Sequence, residues 1–123
     1  MSNNIPASPL LVVVDNYYSD RDYEVNISVP EFTCVCPKTG QPDFGTIHIC
    51  YVPDQKIIEL KSLKLYLFSY RDKGVFHEHV TNLILDDIVA AVDPIRCEVR
   101  GDFNVRGGIK TVVRAHYAQN SEA

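Results

Sequence analysis

The fold class this sequence predicts is α+β, an antiparallel sheet covered on one face by two helices. Three observations predict it. Apolar and polar residues alternate with period two over 23–52 and again over 97–117, the signature of half-buried strands. Between those stretches the apolar spacing becomes helical. Glycine, proline and other turn residues punctuate the segments.

In chain order, residues 1–21 are polar and contain Pro, Asn, Asp and Ser, interrupted by Leu10, Leu11, Val12, Val13 and Val14. They read as an N-terminal arm or edge segment. Residues 22–118 read as the domain and 119–123 as a polar tail. Tyr23, Val25, Ile27 and Val29 alternate with Glu24, Asn26 and Ser28, a strand that continues to about Val35, with Pro30 marking an edge or a bulge. Cys36-Pro-Lys-Thr-Gly-Gln-Pro-Asp43 is turn chemistry, and Phe44 to Val52 forms the returning strand of a hairpin. Leu63, Tyr66, Leu67 and Tyr70 share one helical face, with Gly74 placed to end that helix. Phe76 to Val92 predicts a second helix with Val80, Leu83, Ile84, Ile88, Ala91 and Val92 as its apolar stripe, stopped by Pro94. Cys97 to Val105 and Ile109 to Tyr117 return to strand, joined by a turn at Arg106-Gly107-Gly108. The order is strand, strand, helix, helix, strand, strand, without internal repeat.

A chain of 123 residues, 46% hydrophobic and 23% charged, builds one core but leaves little room for a deep private pocket. A site between subunits is the natural alternative. The net charge of −4 argues against a broad nucleic-acid interface, which needs a basic face. No apolar stretch approaches the ~20 residues of a membrane span. The N-terminus lacks a charged region followed by an apolar one, so a cytoplasmic setting is expected. There the four cysteines, 34, 36, 50 and 97, are expected to be reduced. Cys50 and Cys97 sit in strand patterns and read as structural thiols.

Cys36 lies at the mouth of a turn, two residues before Lys38 and seven before Asp43. A reactive thiol needs a partly exposed, electropositive setting, which Lys38 and the turn amides would supply, with Asp43 as proton donor or acceptor. The competing reading is a loop whose Pro, Gly and Asp only make the turn. Phe76-His77-Glu78-His79 opens the second helix, where Glu78 suits the helix N-terminus and could accept from the N–H edge of a purine-like ring. Solvated charges are the plainer account. Cys34, Cys36, His77 and His79 also make a conceivable zinc set, although Cys-X-Cys followed about forty residues on by His-X-His is weak metal spacing. Lys61 and Lys64 share a face near a helix N-terminus, a candidate phosphate clamp or simply a solvated cationic face. No Gly-X-Gly-X-X-Gly motif follows a strand, so any nicotinamide cofactor binds outside a Rossmann site.

These segments together resemble the unimodular NADPH-dependent 7-cyano-7-deazaguanine reductases, the QueF family. The resemblance spans about residues 23–117 and rests on Pro30-Glu-Phe-Thr33, the Cys36–Asp43 run, Phe76-His-Glu78 and Arg106-Gly-Gly-Ile109. Most specific is Glu59-Leu-Lys-Ser-Leu-Lys-Leu-Tyr66, which fits the family motif at all eight positions. The resemblance implies the tunnelling fold, in which subunits form rings whose sheets join into a barrel, and a homodecamer of two pentamers. It implies Cys36 as the nucleophile that forms a thioimide with the nitrile, and Asp43 as the general acid. Ile58, Glu59, Leu60, His77 and Glu78 would hold the deazapurine, and Lys61, Ser62 and Lys64 the NADPH, with no metal required. Cys34, two residues before the nucleophile, would be core. The rival implications are an archaeosine-forming amidinotransferase using the same cysteine adduct and a non-enzymatic zinc- or pterin-binding module.

Overall fold

The computed structural model describes residues 10–119. The first nine residues of the arm and residues 120–123 of the tail lie outside the described residues. The main sheet has four antiparallel strands in the order β2 (Val25–Val35), β3 (Pro42–Val52), β5 (Arg96–Arg106) and β6 (Ile109–Ala118). Two short strands, β1 (Val13–Asp15) and β4 (Lys56–Ile58), pair with each other in a separate antiparallel sheet. Helices α1 (Leu60–Phe68) and α2 (His77–Val92) occupy the crossover between the two halves of the main sheet. The expected strand–strand–helix–helix–strand–strand order is therefore present, with β1 and β4 added. Nothing in the sequence signalled β4, because three residues are too few to express a period.

The alternation that predicts the strands also selects the helix-facing side. Ile47, Ile49 and Tyr51 of β3 and Cys97, Val99 and Phe103 of β5 are buried against Val80, Ile84, Ile88 and Val92 of α2. Leu63, Tyr66, Leu67 and Tyr70 join the same core, as their spacing requires. Leu83, expected in the α2 stripe, is instead exposed, and Leu85 and Thr81 take the buried positions. The stripe is rotated because Gly101 of β5 lets α2 approach closely at Thr81: a Cβ there would lie 2.6 Å from the Thr81 hydroxyl.

Helix α1 stops six residues before Gly74, capped at Ser69, whose hydroxyl bonds the Tyr66 carbonyl. Gly74 has a different task. The segment around it forms a parallel bridge with Val35, through Val35 N–H to the Lys73 carbonyl and Val75 N–H to the Val35 carbonyl. A Cβ on Gly74 would approach Pro37 Cα to 3.3 Å. The chain thus runs from α1 along the turn that carries Cys36 and directly into the start of α2. At the far end of α2, Asp93 adopts a left-handed conformation (φ 44°) ahead of Pro94.

Two bulges decide where side chains point. In β2, Val29 faces Ile47 but Phe32 faces Gly45, so one extra residue enters beside Pro30. Before it Val25, Ile27 and Val29 face inward; after it Phe32 and Cys34 do. In β5, Phe103 faces Thr111 but Arg106 faces Ile109, again one extra residue. Side chains three apart in a regular strand point to opposite faces. The bulge turns Arg106 to the helix side, where Phe103 already lies. The β5–β6 turn itself uses Gly107 (φ 61°) and Gly108 (φ 80°), the paired positive φ values of a two-residue hairpin turn.

Candidate active site

The turn after β2 is closed by Cys36 N–H to the Gln41 carbonyl and Gly40 N–H to the Cys36 carbonyl, both 2.8 Å. Gly40 occupies the left-handed position (φ 73°) that this closure needs. Cys36 follows the last residue of β2 and is half-buried, whereas Cys34 inside the strand is fully buried. Their thiols differ accordingly. Burial pushes Cys34 up to about 11, with the Asp43 carboxylate adding to the shift. Cys36 is lowered to about 7, first by the Thr39 hydroxyl, then by the backbone N–H groups of Thr39 and Lys38, with the Arg106 charge helping against a small burial cost. The positive charge expected from Lys38 thus comes from Arg106, and Lys38 contributes its amide.

Asp43, on β3 opposite Cys34, is only 5% exposed. Its carboxylate accepts from Arg106 Nη1 on one side, and His77 Nε2 lies 3.2 Å away on the other. The His77 ring is stacked on Phe103, with centroids 3.9 Å apart and planes 5° from parallel. Phe103 is seated over Gly45 and Gly101, where any Cβ would strike the ring. Arg106 Nη2 also donates to Thr39 Oγ1 and Gln41 Oε1, each at 3.0 Å. Glu78, one residue further along α2, is exposed. Cys36, Asp43, His77, Glu78 and Arg106 line one open cavity of about 390 Å³.

The remaining expected residues lie elsewhere. Ile58, Glu59, Leu60, Lys61, Ser62 and Lys64 do not line the Cys36 cavity, and Leu60 and Lys64 instead border an apolar groove between α1 and β2. The Ile58 N–H bonds the Tyr51 hydroxyl, and the Glu59 N–H bonds the Val12 carbonyl. The Glu59 carboxylate caps α1 by accepting from the Lys61 and Ser62 amides at 2.8 Å, which also lowers its pKa. Ser62 is buried, and its hydroxyl donates to the Glu59 carbonyl while accepting from Val12 N–H. Lys61 and Lys64 are exposed, and among the described residues neither ammonium forms an ion pair. Of the three expected phosphate ligands, Lys61 and Lys64 thus present exposed ammonium groups and Ser62 is committed to the fold.

Among the described residues no group of three or more His, Cys, Asp or Glu side chains is placed to share a metal ion. A separate hollow of about 730 Å³ lies at the other end of the sheet around Cys50. There burial, aided by Glu24, raises the thiol, so Cys50 stays protonated at neutral pH. All four cysteines are free thiols. No helix among the described residues is long and apolar enough to cross a membrane.

Thr39 and Arg106 were not singled out from the sequence. A hydroxyl three residues after a turn cysteine is a detectable signal, because Ser and Thr side chains in turns bond nearby groups. Arg106 was hidden, since its aim depends on a bulge that strand periodicity does not reveal.

Fold and site together define an α+β domain that gathers a half-exposed, acidified thiol, a buried carboxylate and a guanidinium at one cavity. The family model described as "QueF-like protein" matches residues 42–122, and the chain belongs to that family. It is 61% identical over 109 residues to the NADPH-dependent 7-cyano-7-deazaguanine reductase of Thermomicrobium roseum, covering 89% of this chain and 85% of that protein. The proteins of the same name from Anaeromyxobacter sp. and Magnetococcus marinus are 57% and 52% identical, over 94% and 96% of this chain and 96% and 94% of their own lengths. Those two matches are long enough to take in the Cys36 turn. A crystal structure of the archaeosine synthase QueF-Like in the apo form superposes with TM-score 0.73 at 22% identity, covering 80% of this chain and 96% of the other, a likeness of fold.

Proposed function

We propose that this chain reduces the nitrile of 7-cyano-7-deazaguanine to an aminomethyl group with two molecules of NADPH, a step toward the tRNA nucleoside queuosine. One observation carries the mechanism: of four thiols only Cys36 is both half-exposed and acidified, and it shares a cavity with Asp43 and Glu78. The relatives that share more than half of its residues bear the name of that reductase.

The Cys36 thiolate attacks the nitrile carbon, forming a carbon–sulfur bond as the carbon–nitrogen triple bond becomes double. Asp43 takes up the proton that leaves the Cys36 thiol and delivers it to the nitrogen, giving a neutral thioimide, with His77 beside it. NADPH, when bound, supplies one hydride to this carbon and, after sulfur departs to leave an imine, a second. With two protons the products are the primary amine and a free Cys36. Glu78 accepts from the N–H edge of the base, and Lys61 and Lys64 hold cofactor phosphates. Ile58, Glu59 and Leu60, which lie outside this cavity, reach the base from a neighbouring subunit.

The Cys36 group and the α1 group lie apart in one chain, which supports a homo-oligomer whose neighbour completes the cavity and excludes water from the thioimide. The outer edges of β2, up to its bridge at Val35, and of β6 offer backbone for joining sheets. We read the assembly as two stacked pentameric rings in the cytoplasm, acting on a small molecule and not on nucleic acid. The test is to mix the protein with the cyano base and follow NADPH absorbance. Consumption of two NADPH per amine supports the reading. Addition of ammonia without NADPH oxidation would replace it with an amidinotransferase.

A further inference from the structure

We infer that Phe103 is a positioning residue for the reduction: its ring lies flat against the His77 imidazole and keeps Nε2 turned to Asp43. This rests on the reading of Asp43 as proton carrier in the reaction just described. Phe103 does not line the Cys36 cavity, so it acts through His77 and not on the substrate. The two rings have centroids 3.9 Å apart and planes 5° from parallel, and His77 Nε2 lies 3.2 Å from Asp43 Oδ2. His77 opens α2 and its side chain, at the cavity wall, is 18% exposed. Rotation of a histidine ring about its Cβ–Cγ bond is a broad, soft torsion. Here, turning the imidazole out of the stack drives its edge into the phenyl face. One plane is left to it, and in that plane Nε2 meets Asp43.

Phe103 can do this because it is itself fixed. It is 1% exposed and faces Gly45 across the β3–β5 ladder. With no side chain on Gly45, the phenyl ring lies down over the neighbouring strand. A Cβ on Gly45 would meet Phe103 Cδ1 at 3.1 Å, and one on Gly101 would meet Cε2 at 2.6 Å. The Phe32 ring stands edge-on to Phe103, with centroids 6.4 Å apart at 72°, and packs in turn against Tyr70 of the α1–α2 connection. The sheet thus supplies a flat, rigid floor for His77, while Arg106 holds the other oxygen of Asp43. An aliphatic side chain at this position fills the same slot but has no plane, so it packs without fixing how the imidazole turns.

The experiment has two readouts, both on the full chain. In the parent protein with isotope-labelled histidine, the His77 ring protons lie over the phenyl face and should resonate upfield of those of His48 and His116, with His77→Gln identifying the signal. A His77 signal at the position of exposed histidines overturns the inference, whatever the variants do. Phe103→Leu, with Phe103→Met as a second variant should the first not fold, should lower kcat roughly 10²-fold, the scale of an ångström's misplacement. KM for the nitrile and for NADPH, and alkylation of Cys36 by iodoacetamide, should stay at parent values. In the His77→Gln background the same replacement should lower kcat no further, because nothing is left to position. An equal fall in both backgrounds overturns the inference and leaves Phe103 to the core alone, as does a Phe103→Leu kcat equal to the parent's. If the upfield signal is present but the parent neither binds the nitrile nor oxidises NADPH, the reduction is wrong and the hold of Phe103 on His77 stands.

Discussion

Cys34 and Cys36 differ by two positions and by about four pH units of acidity. The residue-scale cause is solvent and hydrogen bonds: one sulfur sits in the core, and the other meets a hydroxyl and two amides. Since the thiolate is the reacting form, adduct formation should rise with pH through about 7 and level off above it, because deprotonation there is complete. A stopped-flow pH series with the nitrile checks this. Cys36→Ala should abolish the adduct, whereas Cys34→Ala should keep it and lose only stability. Asp43 is a separate case. Replacing it by Asn leaves the sulfur exposed but removes the proton donor, so turnover should fall roughly 10²–10⁴-fold while alkylation of Cys36 at high pH persists.

At the scale of elements, the bulges in β2 and β5 and the glycines of β3 and β5 set the site. Gly101 admits both the Phe103 ring and the Thr81 turn of α2, and His77 stacks on that same ring. Gly101→Ala should therefore cost about 1–3 kcal/mol, as overpacking does, and should also loosen His77 from Asp43. Thermal denaturation measures the first effect and kcat the second. The elements most legible in the sequence were the long ones, whose periods of two and 3.6 are sustained. The end of α1 was misplaced because Gly74 looks like a cap, yet it was required for close passage beside Pro37. Local pattern cannot separate those two uses of glycine.

For the whole molecule, the decisive fact is that Lys64 borders one groove and Cys36 another, with Lys61 lining neither. Exposed Leu60 and Phe68 beside buried Leu63 and Leu67 leave an apolar strip along α1 facing β2. Such a strip suits a subunit contact. Lys61→Ala with Lys64→Ala should raise KM for NADPH and leave the nitrile adduct intact. If the site lies between chains, co-assembling that double variant with Cys36→Ala should recover part of the activity that each lacks alone. Failure to recover any would confine the site to one chain.

By itself the sequence determined the fold class, the two hairpins and most of the core face of both helices, while its resemblance pointed to Cys36, Asp43 and Glu78, which share one cavity. The elements follow from periodicity, and the resemblance from short motifs whose residues are close in the chain. Only the tertiary structure decided which cysteine is acidified and by what. Thr39 and Arg106 lie 67 positions apart and meet through a one-residue bulge. A bulge reverses the facing of every residue beyond it without changing the composition around it, so pattern alone cannot foresee where Arg106 points.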